Sequence, residues 1–229
     1  MLKNIGKFLM LVSALQLTGC VQNQIVTKQD AYPKMYEVTP KSILVVPAVN
    51  RSTAADAPDL YSTTIVQPLA EAGYYVLPIP LTNLLLQQEG ITDGAQLREV
   101  NPAKFRQLVG ADTVLFVTIN QWDTNYFVTG GNVTVGAEFD LVDTNSGETL
   151  WNYHNVVVYN TSGNSGNLLA DIIATAITTA TTDYVPIARI VNQQVISTLP
   201  LGQYHKRHRL DGADATVNQQ QLKGAVVAQ

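Results

Sequence analysis

The chain of 229 residues contains a single cysteine, Cys20. No disulfide can form within it, and no cysteine cluster can hold a metal. Charge is sparse as well. Asp, Glu, Lys and Arg make up 14% of the residues, against 46% hydrophobic ones. That balance argues against general disorder and suits a packed core. There is no basic excess, since the formal net charge is −4, so nucleic acid is not an expected partner. No apolar run reaches the roughly 20 residues that a membrane-spanning helix needs. G-x-S-x-G, phosphate-loop, HExxH and EF-hand patterns are all missing,. The sequence therefore assigns no catalytic residue, no metal ligand and no cofactor, and the expected class is a non-enzyme.

What is present starts at the amino terminus. Lys3 and Lys7 precede the apolar run Phe8-Leu9-Met10-Leu11-Val12, and Leu17-Thr18-Gly19-Cys20 closes it. Positive start, apolar run, small residue and cysteine, in that order, make a secretory signal ending in a bacterial lipobox. Residues 1–19 are expected to be removed, and Cys20 to carry covalent lipid. Each buried methylene contributes about 0.8 kcal/mol, so two or three acyl chains make an anchor that hardly ever releases. The residue after Cys20 is Val21 rather than aspartate. By resemblance to lipoprotein sorting in Gram-negative bacteria, this implies the outer membrane. Without Lys3 and Lys7, 12 basic residues stand against 18 acidic ones, a net charge of −6. Such a body is a poor overall match for an anionic surface, so attachment is expected to rest on the lipid.

Residues 20–41 are polar, with Pro33 and Pro40, and read as a lipidated tether,. Residues 42–199 read as one α/β domain, and the Gln-rich residues 200–229 as a disordered tail,. Within the domain, Ser42 to Pro47 is a continuous apolar run typical of a strand buried on both faces,. A helix is expected from Pro58 or Asp59 to Ala72, kinked at Pro68 and stopped by Gly73,. Tyr74 to Pro78 makes the next strand, giving a βαβ crossover with parallel strands. Helices follow over Leu81–Gln88 and from Pro102, capped by Asn101, to Leu108,. Thr113–Ile119 reads as the central strand. Tyr126–Val142 and Leu150–Tyr159 alternate apolar and polar residues, an antiparallel hairpin around Asp143–Glu148,. Leu168–Ala180 and Ile187–Leu199 have helical spacing and are expected to pack on the sheet,. The fold class is thus α/β, a mixed sheet with a βαβ first half, an antiparallel hairpin and C-terminal helices packed on it.

Candidate interaction residues are few. Arg51 follows the first strand, at the end of a parallel sheet where ligands tend to bind. It could receive a carboxylate or peptide terminus, or simply pair within its loop. Trp122, Tyr126 and Phe127 sit at the hairpin entry and belong to residue types enriched at protein interfaces; local packing is the alternative. His154 could pair with Asp140 or Asp143 as an acid/base unit or simply face solvent. The only basic cluster, His205-Lys206-Arg207-His208-Arg209, could touch lipid headgroups or remain a solvated tail,.

Three stretches carry a family resemblance: Gly73-Tyr74-Tyr75-Val76-Leu77-Pro78, Gly110-Ala111-Asp112-Thr113-Val114-Leu115, and Leu141-Val142-Asp143 with Gly147-Glu148-Thr149-Leu150-Trp151. Behind a lipobox, this order resembles the DUF799 family of bacterial lipoproteins over most of residues 40–198. More distantly it looks like periplasmic domains of CsgG, TolB and LpoB. The resemblance implies an α/β sandwich with helices on one side of a mixed sheet, without established catalytic residues, and a CsgG-like secretion assembly as partner class. The expected function is an outer-membrane-anchored, periplasm-facing scaffold that binds envelope or secretion proteins, with oligomer formation left open. Two alternatives stand beside it: an envelope ligand binder or hydrolase using Arg51 with nearby carboxylates, and a surface-exposed antigen or adhesin.

Overall fold

A computed structural model describes residues 26–91, 93–127, 130–160 and 185–216. Strand β1 (Ser42–Val45) runs parallel to β3 (Tyr75–Val76) on one side and to β4 (Thr113–Phe127) on the other. The short β2 (Val49–Asn50) continues along β4, pairing Val49 with Thr118. β4, β5 (Gly130–Asp143) and β6 (Thr149–Asn160) then form an antiparallel meander. The result is a six-stranded mixed sheet in the order β3-β1-β4-β5-β6, with β2 on β4.

The apolar run of β1 is explained by two layers. Ile43 and Val45 enter one core, while Leu44 and Val46 enter the other. β4 divides in the same way, with Leu115, Val117 and Ile119 on the first side and Val114 and Phe116 on the second. Helices α3 (Ala57–Glu71) and α7 (Val185–Ser197) cover the first face; Tyr61, Ile65 and Leu69 meet Val191, Val195, Phe139 and Trp151 there. Leu86 of α4 (Ile79–Gln88), Leu97 of α5 (Gly94–Leu97) and Phe105 of α6 (Pro102–Val109) cover part of the second. Each such side chain, fully buried, contributes about 1.5–3 kcal/mol.

Local signals act as their chemistry dictates. The Asn101 side chain accepts from the Ala103 N–H at 3.0 Å, and Gly110 ends α6 in the left-handed conformation,. Pro68 is absorbed inside α3, where it leaves the Thr64 carbonyl without its usual N–H donor but does not break the helix,.

The expected boundaries need correction at both ends. From Val26 the supposed tether belongs to the body. It forms α1 (Lys28–Ala31) and α2 (Pro33–Val38), and Met35 reaches the first core. The supposed tail folds back as far as Thr216 and pairs with that segment. Thr216 N–H donates to Val26 at 2.8 Å, Lys28 N–H to Asp214 at 2.9 Å and Gln29 N–H to Gly212 at 3.0 Å. Backbone hydrogen bonds and one buried ion pair hold these segments, and apolar side-chain patterns register neither. The hairpin entry is also corrected. β4 continues through Phe127, and the chain reverses before Gly130, so that Tyr126 faces Gly131 rather than starting the next strand. Gly130 and Gly131 open β5, paired with Phe127 and Tyr126. The signal peptide, the lipobox and the expected helix over 168–180 lie outside the described residues.

Candidate functional site

Four surfaces bear on function, and the sheet positions each. The first lies at the carboxyl ends of the parallel strands. There the Arg51 N–H donates to Ile119 at 2.7 Å, and Asn50 Oδ1 accepts from Ser52 N–H and Oγ at 3.0 and 2.7 Å. The loop is thus held by Asn50, and the Arg51 side chain projects into solvent. Among the described residues it forms no ion pair, so the carboxylates expected around it are not assembled there.

Trp122 lies three residues further along β4 but does not face outward. It is buried in the first core, and its indole N–H has no partner among the described residues. Of the two readings open for it, interface or local packing, the strand gives packing: the irregularity between Ile119 and Gln121 lets Trp122 turn inward as Ile119 does,. Tyr126 and Phe127 pair with Gly131 and Gly130 at the far end of the hairpin; their side chains lie outside the described ones. Arg51, in the loop after β2, is thus bonded to β4 at Ile119, three residues before Trp122, while the two aromatics stand apart.

The second surface is a polar cluster on the uncovered part of the second face. Asp140 Oδ2 accepts from Arg98 Nη1 at 2.7 Å, and its Oδ1 lies 3.1 Å from His154 Nε2. Arg98 Nη2 donates to Thr118 Oγ1 at 3.1 Å, and the guanidinium stacks 5.1 Å from the Phe116 ring centre,. His154 does pair with Asp140, as its strand position allowed. The arginine that occupies the other carboxylate oxygen had no signal in the sequence, because α5 brings it in from another part of the chain. With both Asp140 oxygens engaged and His154 half exposed, the cluster clamps α5 to the sheet edge.

The third surface is partly apolar. An open groove of ≈ 470 Å³ lies between α4 and α6, lined by Leu86, Ile91, Val100, Phe105 and Leu108 together with Glu89, Lys104 and Gln107. On the same helix α4, Leu81 and Leu84 are 55% and 51% exposed, and Tyr75 on the edge strand β3 is 56% exposed. Positions 81 and 84 share one face of the helix. About half of each of these residues is left uncovered by the body, and neither helical spacing nor composition distinguished the leucines from core ones.

The fourth surface is the end of the body where both chain segments meet. Lys28 Nζ donates to Leu199 at 2.8 Å and lies 3.8 Å from Asp211 Oδ2. Burial holds the Lys28 amine below its ordinary range, with Asp211 opposing that shift,. The buried Tyr74 hydroxyl donates to Pro200 at 2.7 Å, and its pKa is driven up by burial first and by the Asp211 charge second. No group of three or more His, Cys, Asp or Glu side chains suited to a metal occurs among the described residues, and none of their helices is long and apolar enough to cross a membrane.

Comparison with known proteins follows this geometry. The family model described as "Putative lipoprotein GNA1162-like" matches residues 30–202. A curated protein of Neisseria meningitidis serogroup B, "Putative lipoprotein NMB1124/NMB1162", is 32% identical over 167 residues, covering 73% of this chain and 77% of that protein. The crystal structure of lipoprotein GNA1162 from Neisseria meningitidis matches with a TM-score of 0.50 and 35% identity, over 61% of this chain and 96% of that one. A looser likeness, with a TM-score of 0.36 and 19% identity, is to the LpoB C-terminal domain from Salmonella enterica, over 57% of this chain and 95% of that one.

Proposed function

This chain belongs to the GNA1162-like lipoprotein family, and from that premise we propose that it is a non-enzymatic accessory lipoprotein that binds proteins in the cell envelope. Cys20 carries the lipid after cleavage behind Leu17-Thr18-Gly19, and the anchor lies in the outer membrane with the body facing the periplasm. An envelope or secretion assembly of the CsgG-like kind is the partner class that the sequence resemblance suggests. The observation that supports protein binding is the exposure of Leu81 and Leu84 on one face of α4, taken with the open groove between α4 and α6. An exposed apolar patch of this kind marks an interaction surface more often than a solvated one. A partner offering apolar side chains with a flanking charged or polar group fits it, because Glu89, Lys104 and Gln107 share the lining with the apolar residues.

The Arg51 ligand-site reading finds less support. Its loop is closed upon itself, and the groove is built from other elements.

Site-specific photocrosslinking in intact envelopes tests the proposal. A crosslinker at Leu84 should trap one discrete envelope protein, and Leu81→Asp should abolish the adduct. A crosslinker at Arg51 should not trap that protein. The same adduct from both positions, or none from Leu84, sinks the reading. Cys20→Ala should weaken capture by releasing the body from the membrane.

A further inference from the structure

The basic cluster His205–Arg209 lies in a folded turn rather than a tail. Gly202 N–H donates to Ala72 at 2.8 Å and Tyr204 N–H to Gly73 at 3.0 Å, which ties the segment under the start of β3. The turn closes through Arg209, which adopts φ 62°, a left-handed conformation that glycine, and to a lesser degree asparagine and aspartate, adopt more readily than arginine,. Two large side chains flank it and bury little: Tyr204 is 64% exposed and Leu210 70% exposed.

The charges are unevenly committed. Arg207 Nη2 binds both oxygens of Asp214, at 2.8 and 3.0 Å. Lys28 is spent on Asp211, and Lys34 on Glu148 at 3.1 Å. Lys206 has no ion pair among the described residues, and the Arg209 guanidinium reaches only the Tyr36 carbonyl, at 3.4 Å. His208 Nδ1 donates to Leu201 at 2.9 Å, and His205 Nδ1 accepts from the Arg207 N–H at 3.1 Å. The turn thus presents two uncompensated positive charges between an aromatic and an aliphatic side chain, on a protein that is acidic overall.

Its position decides what it faces. Val26 and Thr27 are fixed to residues 215 and 216 beside this turn. Cys20 is six residues before Val26. Six residues span at most about 20 Å even when fully extended, where the expected tether through residue 41 would have allowed several times that. The anchored body cannot turn this end far from the bilayer. Arg51 lies at the opposite end. Along β4, Thr113 pairs near the start of β1 and Ile119 pairs with Asn50, a separation of about 20 Å at the usual rise per residue.

We propose that the turn Tyr204–Leu210 is a second membrane contact, docking on an anionic lipid surface with Lys206 and Arg209 on headgroup phosphates and Tyr204 and Leu210 in the interface. The inference rests on lipidation at Cys20. Tyrosine favours the headgroup level, and basic residues near an anionic leaflet add attraction that falls away within a Debye length. Anchor and turn together would fix the orientation of the body, with the Arg51 end and the β4–β5 hairpin pointing away from the membrane.

The test uses the full lipidated chain in two kinds of vesicle, phosphatidylethanolamine with phosphatidylglycerol and phosphatidylcholine alone, each containing quencher-bearing lipids. With Cys20 acylated, Leu210→Cys provides the sole free thiol for a fluorophore, and Arg51→Cys provides the control. The label at 210 should be quenched strongly in the anionic vesicles and weakly in phosphatidylcholine, and the label at 51 in neither. Lys206→Gln and Arg209→Asn, the latter chosen because asparagine tolerates the left-handed backbone, should each lower the docked-to-undocked ratio about fivefold. Equal quenching at 210 and 51, or quenching at 210 that ignores headgroup charge, overturns the proposal while leaving the anchor intact. An intact mass without acyl chains overturns the anchored reading itself, and this inference with it.

Discussion

Lys28 and Asp211, from opposite ends of the chain, meet inside the body with 9% and 0% of their side chains exposed and 3.8 Å between Nζ and Oδ2. The pair is completed by backbone groups: Lys28 donates to the Leu199 carbonyl, and Asp211 Oδ2 accepts from the Leu201 N–H at 2.8 Å. Two polar segments without a hydrophobic pattern are joined to the core through it.

Removing one partner should therefore cost more than removing both. Lys28→Met leaves a buried carboxylate uncompensated and is expected to destabilise by about 3 kcal/mol. Asp211→Asn keeps an acceptor for the Leu201 N–H. Added to Lys28→Met, it should recover a large part of that loss. A double-mutant cycle by urea denaturation reads the coupling. Additive effects would show that the two charges do not sense each other.

Gly73 and Gly202 make a second test of the same junction. Gly73 has φ 90°, and a Cβ on it would meet the His205 backbone nitrogen at 2.5 Å. A Cβ on Gly202 would run into the Gly73 carbonyl. Gly202→Ala should destabilise by about 2 kcal/mol or more and expose residues 203–216 to protease. A melt unchanged from the parent, with the same cleavage pattern, would contradict this packing.

The sheet was largely legible and the two ends were not, for a physical reason. Ile43 to Val46, Thr113 to Ile119 and the alternation of β5 and β6 carry their burial in side-chain type, and Asn101, Gly73 and Gly110 mark helix boundaries through fixed local chemistry. Residues 26–38 and 200–216 are held by backbone bonds, one ion pair and two facing glycines, none of which shows as apolar periodicity. The polar cluster failed in another way. His154 and Asp140 lie on adjacent strands and were legible as a pair, but Arg98 reaches them only because α5 packs its Gly94 against Pro47 and Ala48. For Trp122 the sequence left interface and local packing open, and β4 decides for packing because it runs on past this residue.

The Arg98–Asp140–His154 cluster should behave as a structural clamp. Its side chains are partly exposed, so Asp140→Ala is expected to cost about 1 kcal/mol, read as a shift in the urea midpoint. Crosslinking from Leu84 should be unchanged. A loss of crosslinking without loss of stability would instead make the cluster part of the binding surface.

Alkaline pH offers a test of the first core. Burial pushes the Tyr61 and Tyr74 hydroxyls well above the ordinary tyrosine range. In the unfolded chain they ionise near pH 10. From there upward the unfolded state gives up these protons while the folded state keeps them. The stability they confer is complete below pH 10 and is lost as pH rises toward their folded values, at about 1.4 kcal/mol per pH unit for each group. Lys28 acts in the opposite sense, since its lowered folded pKa makes stability rise up to about pH 10.5 and contribute no further change beyond,. Above that point the groups with raised values remain, and Tyr32 and Tyr36, also raised first by burial, add to the loss from Tyr61 and Tyr74. The Tyr61 hydroxyl is also buried with no hydrogen-bond partner among the described residues. Tyr61→Phe should therefore raise stability at neutral pH by about 1 kcal/mol, because it removes an unsatisfied group while keeping the ring against Phe139,. It should also reduce the alkaline slope by about one tyrosine. Urea midpoints measured from pH 7 to 11.5 read both effects, and an unchanged slope would show that this hydroxyl ionises as freely in the folded protein as in the unfolded chain.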